Sequence, residues 1–239
     1  NLLQQSKKLQ VSNQELEQFA YVASHDLQEP LRMVTSFLTL IENKYNDKLD
    51  EKGREYIKFA VEGAKNMRQI ILSLLSFSLI TDNETGYENI ALSEIINEVN
   101  LLQSKLISDK KAIIIIDNLP DVYAPRQYMI QLFQNIISNA LKYSNNNVSC
   151  VIKITSKNHK NYFVVSVADN GIGIDKEYFD KIFVIFQRLH HEDEYQGNGM
   201  GLAITKKIME KLNGKIWVES AIGLGSTFNI MIPKNNKKT

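Results

Sequence analysis

The chain of 239 residues is 44% hydrophobic and 23% charged, enough apolar content for one large core or two modest ones. Its 28 basic and 27 acidic residues leave a net charge of +1, which excludes the broad positive footprint of a nucleic-acid or anionic-membrane binder. A single cysteine, Cys150, excludes an internal disulfide and a thiolate metal cluster and fits a reducing, cytoplasmic setting.

No apolar run reaches the roughly 18 residues that a membrane-spanning helix needs. The chain opens at Asn1 with neither an initiator Met nor a signal-peptide pattern, and it is read as a piece of a longer protein with further domains upstream. From 1 to 80 the pattern is helical, with no strand signal. Leu2, Leu9, Leu16 and Ala23 recur at heptad spacing, weakened by the Gln, Ser and Asn between them, so 1–18 reads as an incoming coiled-coil helix. Phe19, Val22, Ala23, Leu27, Leu31, Val34, Leu38, Ile41 and Tyr45 then continue close to a helical period. Asn46-Asp47-Lys48-Leu49-Asp50 predicts a turn, with Asp50 the N-cap of a second helix. That helix would bury Tyr56, Ala60, Ala64, Met67, Ile71, Leu74 and Leu75. Two such helices cannot cover both apolar stripes by themselves. The spacing therefore predicts a homodimer through 1–80, built as a four-helix bundle.

Residues 81–86 are polar and read as a linker, after which the pattern becomes mixed α/β over 87–239. Helices are predicted near 92–109, 126–144, 175–182 and 200–213. Strands are predicted near 87–91, 112–117, 148–156, 161–169, 215–220 and 226–232. The fold class is α+β, a helical hairpin followed by an α/β sandwich whose mixed sheet carries its helices on one face.

His25 lies in Ser24-His25-Asp26-Leu27-Gln28-Glu29-Pro30-Leu31. At about 100° per residue it falls roughly 160° from the centre of the apolar stripe, so it should face water. Asp26 beside it can accept a hydrogen bond from one ring nitrogen and leave the other as a nucleophile. By itself such a pair is more often a surface histidine with an incidental acidic neighbour. Pro30, inside the helical pattern, removes one backbone hydrogen bond and predicts a kink, which either shapes packing or lets an upstream coil move His25.

Several short segments of the second half carry chemistry of their own. Asn135, Asn139 and Lys142 share one helix face, where amide oxygens suit Mg²⁺ and a lysine can offset phosphate charge. Three polar residues on a helix are more often only a solvated face. Asp169-Asn170-Gly171-Ile172-Gly173 follows an apolar strand; a carboxylate there can accept the exocyclic amine of adenine, although the same residues make a common turn. Gly197-Asn198-Gly199-Met200-Gly201-Leu202 opens a helix with exposed amides, suited to phosphate. The polar stretch 190–196 before it reads as a lid, unlike the strand that precedes a dinucleotide fingerprint. Gly223-Leu224-Gly225-Ser226-Thr227-Phe228 reads as a hairpin turn.

In order and spacing, with Ile182-Phe183-Val184-Ile185-Phe186-Gln187-Arg188 before the lid, these segments resemble the Asn, glycine and phenylalanine boxes of sensor histidine kinases, and SHDLQEPL resembles their phosphoacceptor box. The stretch from Phe186 to Tyr195 is similar to kinases that follow PAS or phytochrome sensors. The resemblance implies a Bergerat-type sandwich that binds ATP and Mg²⁺. It places the metal on Asn139 with help from Asn135, and the phosphates on Lys142, Arg188 and the amides around Gly197, Gly199, Gly201 and Leu202. Adenine falls to Asp169, with Gly171, Gly173 and Tyr143 lining its pocket and Thr227 assisting. The implied reaction is transfer of the γ-phosphoryl group to His25, oriented by Asp26, and then to an aspartate on a response regulator receiver domain. Related ATPases carry a Glu at the position of Asn135; an amide cannot act as a base, so transfer is expected over hydrolysis. Bifunctional relatives carry Thr or Asn at the position of Glu29, so weak or absent phosphatase activity is expected. A Bergerat-fold ATPase and a non-catalytic nucleotide-binding scaffold are the alternatives.

Overall fold

The computed structural model describes residues 26–80, 86–145, 148–187, 189 and 197–234. The chain divides into two compact units, Asn1–Thr81 and Asp82–Thr239.

In the first unit helix α1 is continuous over 26–45, through Pro30. A single 3₁₀ turn, Asn46–Lys48, leads to α2, Glu51–Ser78. Asp50 starts that helix as its sequence suggests: its side chain accepts the Gly53 amide at 2.8 Å, satisfying one of the donors a helix start leaves open. Arg54 reaches back to the carbonyls of Asn46 and Leu49, at 3.3 and 3.0 Å, and fixes the turn. Burial in this unit is thin. Val61 and Ala64 are buried, yet Leu27, Val34, Phe37, Tyr56, Phe59 and Met67 are all about half exposed or more. Among the described residues, most of the apolar stripe read from the sequence is therefore uncovered in a single copy.

The second unit is a layered α/β domain. Strand β1, Tyr87–Ala91, precedes α3, Leu92–Leu102, and α4, Ser104–Asp109. Strands β2, Ile113–Ile116, and β3, Asp121–Pro125, lead into α5, Arg126–Lys142. A hairpin of β4, Val151–Asn158, and β5, Tyr162–Asp169, follows. Helix α6, Gly201–Lys211, and the hairpin β6, Lys215–Ala221, with β7, Gly225–Pro233, complete the unit. The main sheet has the order β2-β4-β5-β7-β6; β2 and β4 are parallel and the other neighbours antiparallel.

Period-two alternation puts Ile152 and Ile154, Val165 and Val167, and Phe228, Ile230 and Ile232 on one buried face. Against it, α5 buries Met129, Leu132, Phe133, Ile136, Ile137, Ala140 and Leu141, steps of three and four that define one helix face.

Three differences from the sequence reading have local causes. The helix expected over 175–182 is two short 3₁₀ turns, Lys176–Tyr178 and Lys181–Phe183; the Asp175 carboxylate takes the Glu177 amide at 3.0 Å and closes a tight turn instead. The helix expected over 92–109 breaks at Gln103, whose side chain donates to the Gln134 carbonyl of α5 at 3.0 Å. Strand β3, absent from the sequence reading, pairs with β1 as a separate two-stranded ribbon, its last residue a proline that launches α5.

Candidate functional site: the cleft around Asp169

Asp169 ends β5 in phase with Val165 and Val167, so its carboxylate lies on the sheet face that the helices cover. Its Oδ1 accepts two backbone amides, from Gly171 at 2.8 Å and from Ser226 at 3.2 Å. Burial pushes this carboxyl above the usual carboxylate range, and the two amides only partly offset it. Oδ2 remains as a fixed acceptor. Asn170 holds the strand end in place, accepting from Val151 and donating to the Ser149 carbonyl, both at 2.8 Å.

The glycines are set by close approach. A Cβ on Gly171 would sit 2.5 Å from the Tyr143 carbonyl oxygen, and the next amide, Ile172, donates to that same oxygen at 3.1 Å. Gly173, at φ +74°, runs against the Ala221 backbone, which no side chain would permit. The loop after β5 is thus clamped between the end of α5 and the β6–β7 turn.

On α5, Asn135, Asn139 and Lys142 are half-buried on one face. Asn135 donates through Nδ2 to the Gly201 carbonyl at 3.0 Å, joining α5 to the first turn of α6. Its Oδ1 is then the side-chain atom left to accept. Lys142 Nζ donates to the Tyr143 hydroxyl at 2.8 Å and lies 4.4 Å from that ring's centroid. Gly197, at φ +150°, a backbone conformation that favours glycine, passes beside the same Nζ. Gly199, at φ +68°, packs on the backbone of Phe186 and Gln187, and Phe186 itself is held at φ +62°. Asn198 accepts the Met200 amide at 3.2 Å, ahead of Leu202, which is half-buried on the first turn of α6.

Asp169, Gly171, Gly173, Tyr143, Asn135, Lys142, Gly197 and Gly201 therefore meet around the C-terminal half of α5. Asp26 is exposed on α1. His25, Arg188 and the lid expected over 190–196 lie outside the described residues. Thr227 is a correction. Strand alternation, with Thr227 opposite Ala168, turns it to the other face of the sheet, whereas Ser226 keeps the phase of Phe228 and binds Asp169. Ser220 is a second residue the sequence reading misses: its Oγ accepts the Ile174 amide at 2.8 Å and donates to the Gly225 carbonyl at 2.7 Å. The period-two burial of 226, 228, 230 and 232 is the signal that could have singled out Ser226.

Among the described residues no cluster of three or more His, Cys, Asp or Glu could cage a metal. The donor set is instead amide oxygens, Asn139 and Asn135, beside a lysine. That fits a Mg²⁺ ion carried in on phosphate oxygens and completed by one or two protein ligands.

Two family models match the chain. Residues 15–83 match the His Kinase A (phospho-acceptor) domain. Residues 125–236 match the histidine kinase-, DNA gyrase B- and HSP90-like ATPase domain. Cyanobacterial phytochrome A of Nostoc sp. strain PCC 7120 is 44% identical over 99% of this chain and 31% of its own length. The chain thus spans about a third of the length of the curated relatives it matches first. The catalytic domain of the histidine kinase ThkA is 32% identical, with 63% of this chain covering 97% of that one at a TM-score of 0.55. The crystal structure of ThkA in complex with the response regulator protein TrrA shares 24% identity over 98% of this chain and 67% of that one, TM-score 0.65. Full-length ShkA in complex with AMPPNP shares the fold, at 22% identity over 93% of this chain and 47% of that one, TM-score 0.71. With a phosphoacceptor helical unit followed by an ATPase-type sandwich, and relatives of this kind along nearly its whole length, the chain belongs to the sensor histidine kinases.

Proposed function

We propose that this chain takes Mg·ATP into the cleft around Asp169 and transfers the γ-phosphoryl group to its own His25. The observation that carries the reading is the Asp169 carboxylate. Two amides hold Oδ1, which leaves Oδ2 to accept an exocyclic amine, and Gly171 lets the loop that donates one of those amides close against the Tyr143 carbonyl. One helix away, Lys142, Asn139 and Asn135 supply a cation and hard oxygens where a triphosphate would run. Asn139 and Asn135 would hold Mg²⁺, which when bound offsets negative charge on the phosphates.

A neutral imidazole nitrogen of His25 attacks the γ-phosphorus, the bond to the bridging oxygen breaks, and ADP leaves. Asp26 accepts a hydrogen bond from the opposite, proton-bearing ring nitrogen, which orients the ring, and as general base takes that proton when the N–P bond forms. Lys142 neutralises charge on the chain of phosphates, and positioning supplies the rest of the acceleration. Asn135 has no basic atom to activate water, which favours transfer over hydrolysis. The phosphohistidine then passes to an aspartate of a receiver domain, a partner of the kind present with ThkA in its complex with TrrA. The exposed apolar residues of α1 and α2 support a homodimer through the helical unit. The span of about a third of its phytochrome relatives supports an upstream sensor domain. No described helix is long and apolar enough to cross a membrane; the setting we assign is cytoplasmic. Glu29, exposed on α1, offers no hydroxyl or amide to position water, so phosphatase activity on the regulator is expected to be weak.

Incubation with γ-labelled ATP tests the reading. Acid-labile, base-stable label should appear on wild-type protein, vanish in His25→Ala, and fall by about 100-fold or more in Asn139→Ala. Label that persists in His25→Ala moves the acceptor elsewhere, and free phosphate without protein label makes the chain an ATPase.

A further inference from the structure

We propose that Ser220 is a positioning residue that sets the cleft's preference for a 6-aminopurine, a role that rests on the base recognition assigned to Asp169 above. A serine hydroxyl has one hydrogen to give and two lone pairs to receive with. Ser220 gives its hydrogen to the Gly225 carbonyl at 2.7 Å, an atom that can only accept. It receives the Ile174 amide at 2.8 Å, an atom that can only donate. In its 3.0 Å contact with Ser226 Oγ it has nothing left but a lone pair. Ser226 is therefore the donor in that pair, and its hydrogen is spent inside the protein.

The consequence falls on the base. Ser226 is buried beside the carboxylate, its amide on Asp169 Oδ1 at 3.2 Å, and its hydroxyl oxygen can now only accept. Asp169 Oδ2 can likewise only accept while the carboxyl is ionised. Two neighbouring acceptors match the two N–H bonds of an exocyclic amine. They oppose a 6-oxo group, whose oxygen would leave buried acceptors unpaired. Ser220 touches neither base nor phosphate. It acts through the direction of one hydroxyl hydrogen, and in the same bonds it ties the loop after β5 to the β6–β7 turn. Replaced by alanine, it frees Ser226 to rotate and donate to a 6-oxo oxygen.

Competition of ATP and of ITP against a fluorescent ATP analogue, in the whole chain with Mg²⁺ present, reads this out as the ratio of the two affinities. Wild type should favour ATP. In Ser220→Ala the ratio should fall about tenfold, mainly because ITP gains, and in Ser220→Thr, which restores a hydroxyl, it should return. Thermal melts followed by circular dichroism report whether each variant folds. Should Ser220→Ala unfold, Ser226→Ala carries the test, since removing the same acceptor should also lower the ratio. Equal weakening of ATP and ITP, or an unchanged ratio in a folded variant, overturns the role of Ser220. A wild-type protein that binds neither nucleotide fails at Asp169 instead, so the two failures are distinguishable.

Discussion

Asp169 carries a charge where burial disfavours one, and stability and binding pull on it in opposite directions. Because its folded pKa is raised, the folded chain holds the proton more tightly than the unfolded chain. Stability is therefore lost as pH rises from the ordinary carboxylate value through the raised one, and at neutral pH the ionised group is a net burden. Asp169→Asn keeps an oxygen for the Gly171 and Ser226 amides but turns an N–H toward the amine of adenine. ATP affinity should fall by about 100-fold or more, while the melting temperature at neutral pH stays level or rises. Calorimetric titration and a melt on the same sample check both halves; a variant that binds normally removes Asp169 from base recognition. In wild type, ATP affinity should begin to fall at a higher pH than an ordinary aspartate would give, as the carboxyl takes up its proton. Asp169 could be found in the sequence because an acidic residue at the end of an apolar strand, followed by glycines, is locally recognisable. The alternation of 226, 228, 230 and 232 points to the face Ser226 shares but not to its contact with Asp169, and nothing local singles out Ser220, whose role depends on strand register and on which hydroxyl holds a spare hydrogen.

At the scale of elements, α5 was the easiest to read: seven buried positions in one helical phase leave little freedom in its placement. The 3₁₀ turns at 176–183 were misread because Asp175 competes for a backbone amide, a choice that apolar periodicity does not register. The hairpin of α1 and α2 is the opposite case. Its periodicity is clear, and yet Leu27, Val34, Tyr56 and Met67, expected inside, stand 48–66% exposed in one copy. The sequence pattern is that of a buried stripe, and the homodimer proposed above would cover it. Phe59, 61% exposed on α2, is a suitable probe. Phe59→Glu introduces a charge that a paired apolar face cannot solvate, and it should shift the chain from dimer to monomer in sedimentation velocity at micromolar concentration. The α/β unit should keep its ATP affinity in that variant. A Phe59→Glu protein that still sediments as the wild-type dimer would place the interface on another face.

Over the whole molecule, the two compact units draw their stability from different sources. The sandwich closes a core of its own, with Leu92, Phe133, Ile152 and Ile230 fully out of solvent. Among the described residues of the helical unit only Val61, Ala64 and Ile80 are buried apolar side chains, and the proposed homodimer would bury more. Mass action then separates them: a ligand raises the stability of the unit that binds it by RT ln(1 + [L]/Kd), and association raises that of the unit that pairs. Scanning calorimetry should resolve two transitions. Adding Mg·ATP at about 100 times its dissociation constant should raise the one assigned to the sandwich by several degrees and leave the other in place. A tenfold increase in protein concentration should do the reverse, moving only the transition of the helices. Phe59→Glu should abolish that concentration dependence, and Asp169→Asn should cut the nucleotide shift to a small fraction of its wild-type size, each without touching the other response. One transition that moves with both ATP and concentration would mean that the units unfold as a single body, and that pairing of the helices also stabilises the nucleotide cleft.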